Sequence, residues 1–238
     1  MRKINLLIAS TLLSGAALAD GFSGQVGLGY QTSSVDTNYG ECWSECFGDQ
    51  EPSGLAIEAK INFGPSLFAT LDYAKTKDSE DHWDDSVSSV WNDQSIGLGY
   101  TLVLTDVSAV TFAVEYSDVE WEYNWKDATG TSSYYNADDS GVSFAVGAIV
   151  DVNDKMTAGA AVSLGFSQGI EAFTQYALTE SLALKVSYEG KSYELGNFSQ
   201  LRISNSGVTS VSDPSSDDGD GDYQLDNQIF RVGAVYKF

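Results

Sequence analysis

The sequence is poor in the residues on which several classes of function depend. It has 2 Cys and 1 His, and only 12 Lys+Arg stand against 34 Asp+Glu. An acidic surplus of this size repels nucleic acid, so a nucleic-acid partner is excluded. With 3 Pro in the whole chain, no Pro-rich linker divides it, and we expect residues 20–238 to form a single domain.

Long apolar runs are also missing beyond the N-terminus. The run at residues 4–13 is shorter than the about 20 residues that a spanning helix needs. It follows two basic residues and precedes Ala17-Leu18-Ala19, the small-x-small pattern that signal peptidase cuts. We therefore predict a secretory signal at residues 1–19, cleaved between Ala19 and Asp20, with a membrane anchor as the alternative. Any other membrane span must consist of strands.

Segments of about ten residues with a two-residue period recur along the chain. Each has an apolar face and a small or polar face, as transmembrane β-strands do. In the first segment Leu28 and Tyr30 share the apolar face, while Gly27 and Gly29 lie on the other. The predicted strands are 22–30, 55–63, 67–74, 96–104, 110–117, 142–150, 156–166, 170–178, 182–188 and 230–238.

The fold class is therefore all-β: a closed antiparallel up-and-down transmembrane β-barrel of about ten strands. Eight strands are the alternative, because residues 167–169 make a short connection for the outer face. Beyond residue 117 the apolar residues become odd-numbered, which a β-bulge or an extension of the strand above the membrane would explain.

Connection lengths alternate along the chain. Short connections with turn-forming residues, assigned to the periplasm together with both termini, are 64–66, 105–108, 153–155 and 179–181. Longer connections, expected to be extracellular loops, are 34–53, 78–94, 126–139 and 196–226. Aromatic residues then fall into two interfacial belts, an outer one with Tyr30, Tyr73, Tyr116, Phe144, Phe166, Tyr188 and Phe230, and a periplasmic one with Phe22, Phe63, Tyr176, Tyr236 and Phe238.

The last eight residues carry the most specific pattern. Arg231, Gly233, Tyr236 and the terminal Phe238 have the spacing of a closing strand in bacterial outer-membrane barrels. Together with the signal and the strand rhythm, they make the chain resemble the small porin-like or OmpA/OmpX-like barrels. The resemblance implies an integral, monomeric protein of the Gram-negative outer membrane, inserted by the barrel-assembly machinery and in contact with lipid and lipopolysaccharide. The sequence has no peptidoglycan-binding domain like that of OmpA, so attachment to the cell wall is not expected.

Charged residues on the inward faces are the candidate lumenal groups. They are Glu58, Lys60, Asp72, Glu115, Glu171, Lys185, Glu189, Arg231 and Lys237. A barrel of this size is mostly filled by its own side chains, which favours a structural salt-bridge network. If a path exists, the excess of acids would favour cations.

Two functions are compatible with these patterns. The first is a porin-like, narrow channel for small solutes or cations. The alternative is a non-conducting structural or surface-interaction barrel of the adhesion type, acting through acidic, aromatic outer loops. Its candidate contact residues are Trp121, Tyr123, Trp125, Tyr134 and Tyr135, because an extended strand edge with exposed rings can bind a partner.

Catalysis is not expected. Omptin proteases combine paired acids with an Asp–His couple, and His82 with Asp81 or Asp84 is the one comparable set. These residues lie within one predicted loop, which does not fix their geometry. We therefore expect that the protein is not an enzyme and carries no cofactor.

The acidic loops and the cysteines leave two smaller expectations. Residues 78–85, 118–122 and 213–226 could bind divalent cations weakly and bridge to lipopolysaccharide phosphates, or be solvated loops without metal. The run Asp217-Asp218-Gly219-Asp220-Gly221-Asp222 does not have the EF-hand spacing. Cys42 and Cys46 are expected to form a local disulfide after export to an oxidising compartment.

Overall fold

The computed structural model describes residues 22–38, 50–82, 85–126, 129–195, 197–204, 207–212 and 223–238. The predicted signal with its cleavage site at Ala19 and Asp20, the Cys42–Cys46 pair and the acidic run 217–222 lie outside these residues. Within the described ranges, no helix is long and apolar enough to cross a membrane.

The described residues lie almost entirely in β-strands. The strands are β1 (Phe22–Asn38), β2 (Ser53–Phe63), β3 (Leu67–His82), β4 (Asp85–Thr105), β5 (Ser108–Lys126), β6 (Ser132–Asn153), β7 (Met156–Gly165), β8 (Ser167–Ala177), β9 (Leu182–Leu195), β10 (Asn197–Ser204), β11 (Gly207–Ser212) and β12 (Tyr223–Lys237).

Ten of these strands close into an antiparallel barrel. Each of β1 to β8 pairs with the strand that follows it, β9 pairs with β12, and β12 pairs with β1. The predicted up-and-down barrel of about ten strands is confirmed, and the alternative of eight is wrong. The short connection behind that alternative is a tight β7–β8 hairpin, where Gly165 adopts a φ of 125°.

The two ends of the barrel differ in length. We call the end with the short connections 64–66, 106–107, 154–155 and 178–181 the turn end, and the opposite one the extended end. At the extended end β4, β5 and β6 reach 21, 19 and 22 residues. A spanning strand needs only about 9–11. Much of the predicted loops 78–94 and 126–139 is therefore strand.

The hairpin β10–β11 was not predicted, since its residues fall in the expected loop 196–226. β7 ends at Gly165, opposite Ser143, so the part of β6 beyond that point has no partner in the barrel wall. β10 pairs with this free edge from Asn197↔Asp138 to Ile203↔Ser132. The added hairpin satisfies backbone groups that would otherwise be left unpaired.

The change of parity beyond residue 117 is explained by strand extension. β5 pairs with β4 without interruption from Tyr116↔Ile96 to Lys126↔Ser86, so the suggested β-bulge is wrong. Since side chains alternate strictly along a regular strand, the odd-numbered apolar residues of this part face the inside of the barrel.

An apolar band surrounds the wall near the turn end. Outward side chains such as Leu98, Leu164 and Leu55 are 68%, 66% and 62% exposed, as lipid-facing residues are in this fold class. Phe166, predicted for the outer belt, instead turns inward, and its ring lies 5.8 Å from that of Tyr193. The break in alternation follows from the left-handed conformation of Gly165 just before it.

Candidate functional site: the lumen and its closure

The turn-end half of the barrel encloses a cavity of about 370 Å³. All the predicted lumenal charged side chains line it, and Lys191 joins them. The acids are Glu58, Asp72, Glu115, Glu171 and Glu189, and the bases are Lys60, Lys185, Lys191, Arg231 and Lys237. The two signs are equal in number on this lining, so the expected excess of acids is not present there.

The first ion-pair network is centred on Arg231 of β12. Its Nη1 lies 2.6 Å from Asp72 Oδ2, and its Nη2 donates to Asp72 Oδ1 at 3.1 Å. Nε and Nη2 also donate to Gln31 Oε1 at 3.1 and 2.7 Å. Glu58 extends the network, with its Oε2 2.6 Å from Lys185 Nζ and 3.8 Å from Arg231 Nη1. The planar guanidinium is thereby fixed from two sides.

A second network lies next to the extended end. Lys191 Nζ is 2.7 Å from Glu189 Oε1 and 3.8 Å from Asp93 Oδ2. The hydroxyl of Tyr193 donates to the same Asp93 oxygen at 2.9 Å. Asp93 and Tyr193 are both buried. A buried carboxylate needs such partners, because an unpaired one would carry a large desolvation cost.

Four lumenal charges belong to neither network. Within the described residues, Glu115, Glu171 and Lys237 make no side-chain ion pair or hydrogen bond. Lys60 Nζ lies over the ring of Phe68, 4.2 Å from its centroid, and has no carboxylate partner in the described part of the chain. These groups face the cavity, and no described side chain of opposite charge lies within ion-pair distance of them.

The repeated Gly-Leu-Gly-Tyr sequence makes room for inward side chains. A Cβ on Gly27 would lie 2.6 Å from Cγ of Glu58, and one on Gly97 would lie 2.9 Å from Cγ of Glu115. Leu28 and Leu98, between the glycines, are exposed on the outer wall. The repeat therefore places lumenal carboxylates close to the wall while keeping the lipid face apolar.

At the extended end the lumen is filled by a hydrophobic cluster. We call it the aromatic cluster: Val35, Trp91, Val119, Trp121, Tyr123, Ala137, Tyr193 and Leu225, with Val87, Trp125, Tyr135 and Phe166 packed against it. Trp91 and Trp121 are 0% and 2% exposed. The members come from six strands around the barrel, so they meet across its interior as in the core of a water-soluble protein.

Ring contacts hold the cluster together. Trp121 stacks on Tyr123 at 5.6 Å, and Tyr123 meets Tyr135 edge-on at 5.9 Å. Trp91 lies 5.8 Å from Tyr193. The indole nitrogen of Trp121 donates to Gln50 Oε1 at 3.2 Å, so the polar group of this buried ring has a partner.

The predicted contact residues of the outer loops are thus placed differently. Trp121 and Tyr123 are buried inside the barrel, and Trp125 and Tyr135 are partly buried against the cluster. Their prediction as exposed contact residues is wrong. The side chains of β5 continue to alternate between the inside and the outside of the barrel beyond residue 117, so the odd-numbered rings point inward. Tyr134, on the opposite face of β6, is 42% exposed. Strand parity could have identified the cluster, since Trp91, Trp121 and Tyr193 share the odd numbering of inward neighbours on β4, β5 and β9.

The residues considered for catalysis and metal binding lie on strands as well as in loops. His82 is the last residue of β3 and pairs in the ladder with Asp85, the first residue of β4. The acids 118–122 lie on β5, which corrects their assignment to a loop. Within the described ranges, no group of three or more His, Cys, Asp or Glu residues could hold a metal ion.

A closed antiparallel barrel with an even number of strands, an apolar outer band and a polar lumen is typical of the bacterial outer-membrane β-barrel proteins. Residues 6–169, more than half of the chain, match the family described as the outer membrane protein beta-barrel domain, and the chain belongs to that family. Its place is therefore the outer membrane, as an integral protein. No curated protein matches the sequence significantly.

Several solved structures of outer-membrane proteins are similar to the chain at low sequence identity. The outer membrane protease OmpT of Escherichia coli is 10% identical, over 93% of this chain and 98% of that chain, with a TM-score of 0.56. Ail, the attachment invasion locus protein of Yersinia pestis, is 13% identical over 92% and 99%, with a TM-score of 0.44. OprG of Pseudomonas aeruginosa is 12% identical over 92% and 96%, with a TM-score of 0.40. A likeness to OmpT at this identity shows the fold alone, and function has to be argued from this chain's own residues.

Proposed function

We propose that the protein is a non-conducting outer-membrane barrel that acts as a structural or surface-interaction protein. The observation that carries the proposal is the aromatic cluster, whose buried rings occupy the extended end of the lumen. An open path would require several of these side chains to leave their packing. Exposing a buried apolar side chain to water costs about 1.5–3 kcal/mol, so exposing several rings together makes spontaneous opening rare.

We further propose that the extended end faces the outside and that the turn end, with both termini, faces the periplasm. Short turns lie on the periplasmic side in this class. The ladder of β4 and β5 runs from Ile96↔Tyr116 to Ser86↔Lys126. At about 3.4 Å per residue this stretch is roughly 30 Å long, and the protein would present it beyond the membrane surface.

The outer face of this extension is the proposed interaction surface. Its acids include Asp118, which accepts a 2.6 Å hydrogen bond from Gln94, and Glu120, 3.5 Å from Asn92 Nδ2. Asp138 lies beside Glu120 in the ladder. Tyr134 is the one predicted aromatic contact residue that this surface retains. Together they form an acidic wall with an exposed ring at its side.

The remaining proposals concern partners. The protein would be a monomer inserted by the barrel-assembly machinery, in contact with lipid and lipopolysaccharide and with no nucleic acid. The acidic wall and the acidic loops would take up divalent cations only weakly, as bridges to lipopolysaccharide phosphates. We propose neither a cofactor nor an enzymatic activity, because the omptin-like hypothesis rests on His82 and its sequence neighbours alone.

A gated narrow channel is the second candidate function. The cavity of about 370 Å³ with charged walls favours a channel, because this space would form the turn-end half of a path through the barrel. Solute could then cross only when the aromatic cluster moves aside.

Single-channel recording in planar bilayers separates the two candidates. The refolded wild-type protein should give no openings, whereas Trp121→Ala/Tyr123→Ala, which removes two stacked rings, should conduct. Tyr134→Ala removes an exposed ring from the same region and should remain silent. Folding of each variant is checked by heat-modifiable gel migration. Discrete openings of the wild-type barrel, altered in Glu115→Gln/Glu171→Gln, would overturn the proposal in favour of a channel.

A further inference from the structure

The cavity contains two kinds of charge that differ in their partners. The cations Arg231, Lys185 and Lys191 are committed to Asp72, Glu58 and Glu189 at 2.6, 2.6 and 2.7 Å. The acids Glu115 and Glu171 and the bases Lys60 and Lys237 have no such partner within the described residues. Two carboxyl groups and two ammonium groups of the cavity wall are therefore outside the internal ion pairs.

The unpaired charges are also separated along the barrel. Glu115 lies seven residues from the start of β5 at the turn end, and Glu171 lies six residues from the turn-end terminus of β8. Lys60 is three residues from the turn-end terminus of β2, and Lys237 is the last residue of β12. The carboxylates are thus deeper in the lumen than the ammonium groups, by four residues or roughly 13 Å along a strand for Glu115 and Lys60.

Access to this cavity is from one side. The aromatic cluster occupies the extended end. Near the turn end Phe68 and Val235 are buried, but Gln25, Lys60, Thr157 and Lys237 are partly exposed. A solute that reaches Glu115 and Glu171 therefore passes the two lysines first.

We propose that the lumen is a dead-end binding site for a small zwitterion of amino-acid to dipeptide size, entered from the turn end. Its ammonium group lies between Glu115 and Glu171, and its carboxylate or other anionic group meets Lys60 and Lys237. A cavity of about 370 Å³ is at the small end of the range for ligand sites, about 300–1,000 Å³. A zwitterion pairs all four charges without adding net charge to a lining on which both signs are equal.

A simple cation or anion fits less well. Either would neutralise only one half of the unpaired charge and would leave the other half partly buried without a partner. Charge-assisted hydrogen bonds at both ends also fix the orientation of the ligand, because exchanging its two ends would place like charges together.

Isothermal titration of the refolded protein in detergent micelles tests the proposal, with glycylglycine as the zwitterionic probe. Methylammonium and acetate are the probes that carry one charge each. We expect glycylglycine to bind, and both Glu115→Gln/Glu171→Gln and Lys60→Gln/Lys237→Gln to weaken it by about tenfold or more. Asp154→Asn, which removes an exposed acid outside the cavity, should bind like the wild type. Heat-modifiable gel migration shows that each variant is folded.

Three results would overturn the inference. They are absence of binding at about 10 mM glycylglycine, binding that neither double variant changes, and methylammonium binding as tightly as the dipeptide. The dead end rests on the proposed function, so conduction in the bilayer recording would overturn it. The titration tests binding of the zwitterion separately, since a conducting or a silent barrel can bind or fail to bind glycylglycine.

Discussion

The hydroxyl of Tyr193 on β9 donates a 2.9 Å hydrogen bond to Oδ2 of Asp93 on β4, across the inside of the barrel. The ring of Tyr193 belongs to the aromatic cluster. Asp93 also lies 3.8 Å from Lys191, which pairs with Glu189 on the wall of the cavity. This one contact joins the closed extended end to the charged lumen beneath it.

Replacing Tyr193 by Phe should destabilise the barrel. The ring would stay in the cluster, but Asp93 would lose its donor while remaining buried, at a cost of about 1–3 kcal/mol. Urea unfolding from lipid vesicles, followed by Trp fluorescence, measures the difference. Tyr134→Phe removes a hydroxyl from an exposed side chain and should leave stability unchanged. Equal unfolding curves for both variants would show that the contact adds nothing.

The pairing of Asp72 with Arg231 leads to a second prediction. Asp72→Ala leaves the guanidinium without its bidentate partner and should cost about 2 kcal/mol. This is below the range for a fully buried pair, because the Asp72 side chain is 33% exposed. Asp72→Leu/Arg231→Met replaces both charges by apolar groups, and we expect it to recover most of the loss in the same unfolding assay. A double variant less stable than Asp72→Ala would contradict this explanation.

Gly233 in the closing strand should not tolerate a side chain. Its Cβ would lie 2.7 Å from the carbonyl oxygen of Leu28 and 2.8 Å from Cα of Gly29, both main-chain atoms of β1. Main chain cannot move aside without disturbing the ladder, so we expect Gly233→Ala to lose about 1–3 kcal/mol. At Gly190 the nearest atoms to a Cβ are 3.9 Å away, so Gly190→Ala is the matched control. Refolding yield and urea midpoint compare the two, and a midpoint for Gly233→Ala equal to that of the control would refute the steric argument.

Alternation along single strands was sufficient to predict the barrel. The lipid face, the short turns and the lumenal position of residues such as Glu58 and Arg231 all follow from a two-residue period, which is a local property. Strand ends could not be predicted in the same way. Acidic residues such as Asp118 and Glu120 resemble loop residues, although the wall continues through them because its inner face is apolar.

The closure of the lumen depends on contacts between residues far apart in sequence. Trp91 and Tyr193 meet only because β4 and β9 curve around a common interior. Phe166 joins them because Gly165 reverses the side-chain alternation at that point. The β10–β11 hairpin forms because β7 is too short to pair with all of β6. Strand parity can place Trp91 and Tyr193 inside the barrel, but no sequence period shows that they meet, that Phe166 joins them or that β7 is short.

The sidedness of access to the cavity tests the central claim most directly. A thiol at Ala145, on the cavity wall, can be introduced as Ala145→Cys in a Cys42→Ser/Cys46→Ser background and treated with a membrane-impermeant maleimide. We predict no labelling from outside intact cells and rapid labelling once the reagent reaches the periplasm. Tyr134→Cys, exposed on the extended end, should react from outside and is the control for orientation. Rapid labelling of the Ala145→Cys thiol from outside, with the aromatic cluster intact, would contradict a lumen closed at the extended end.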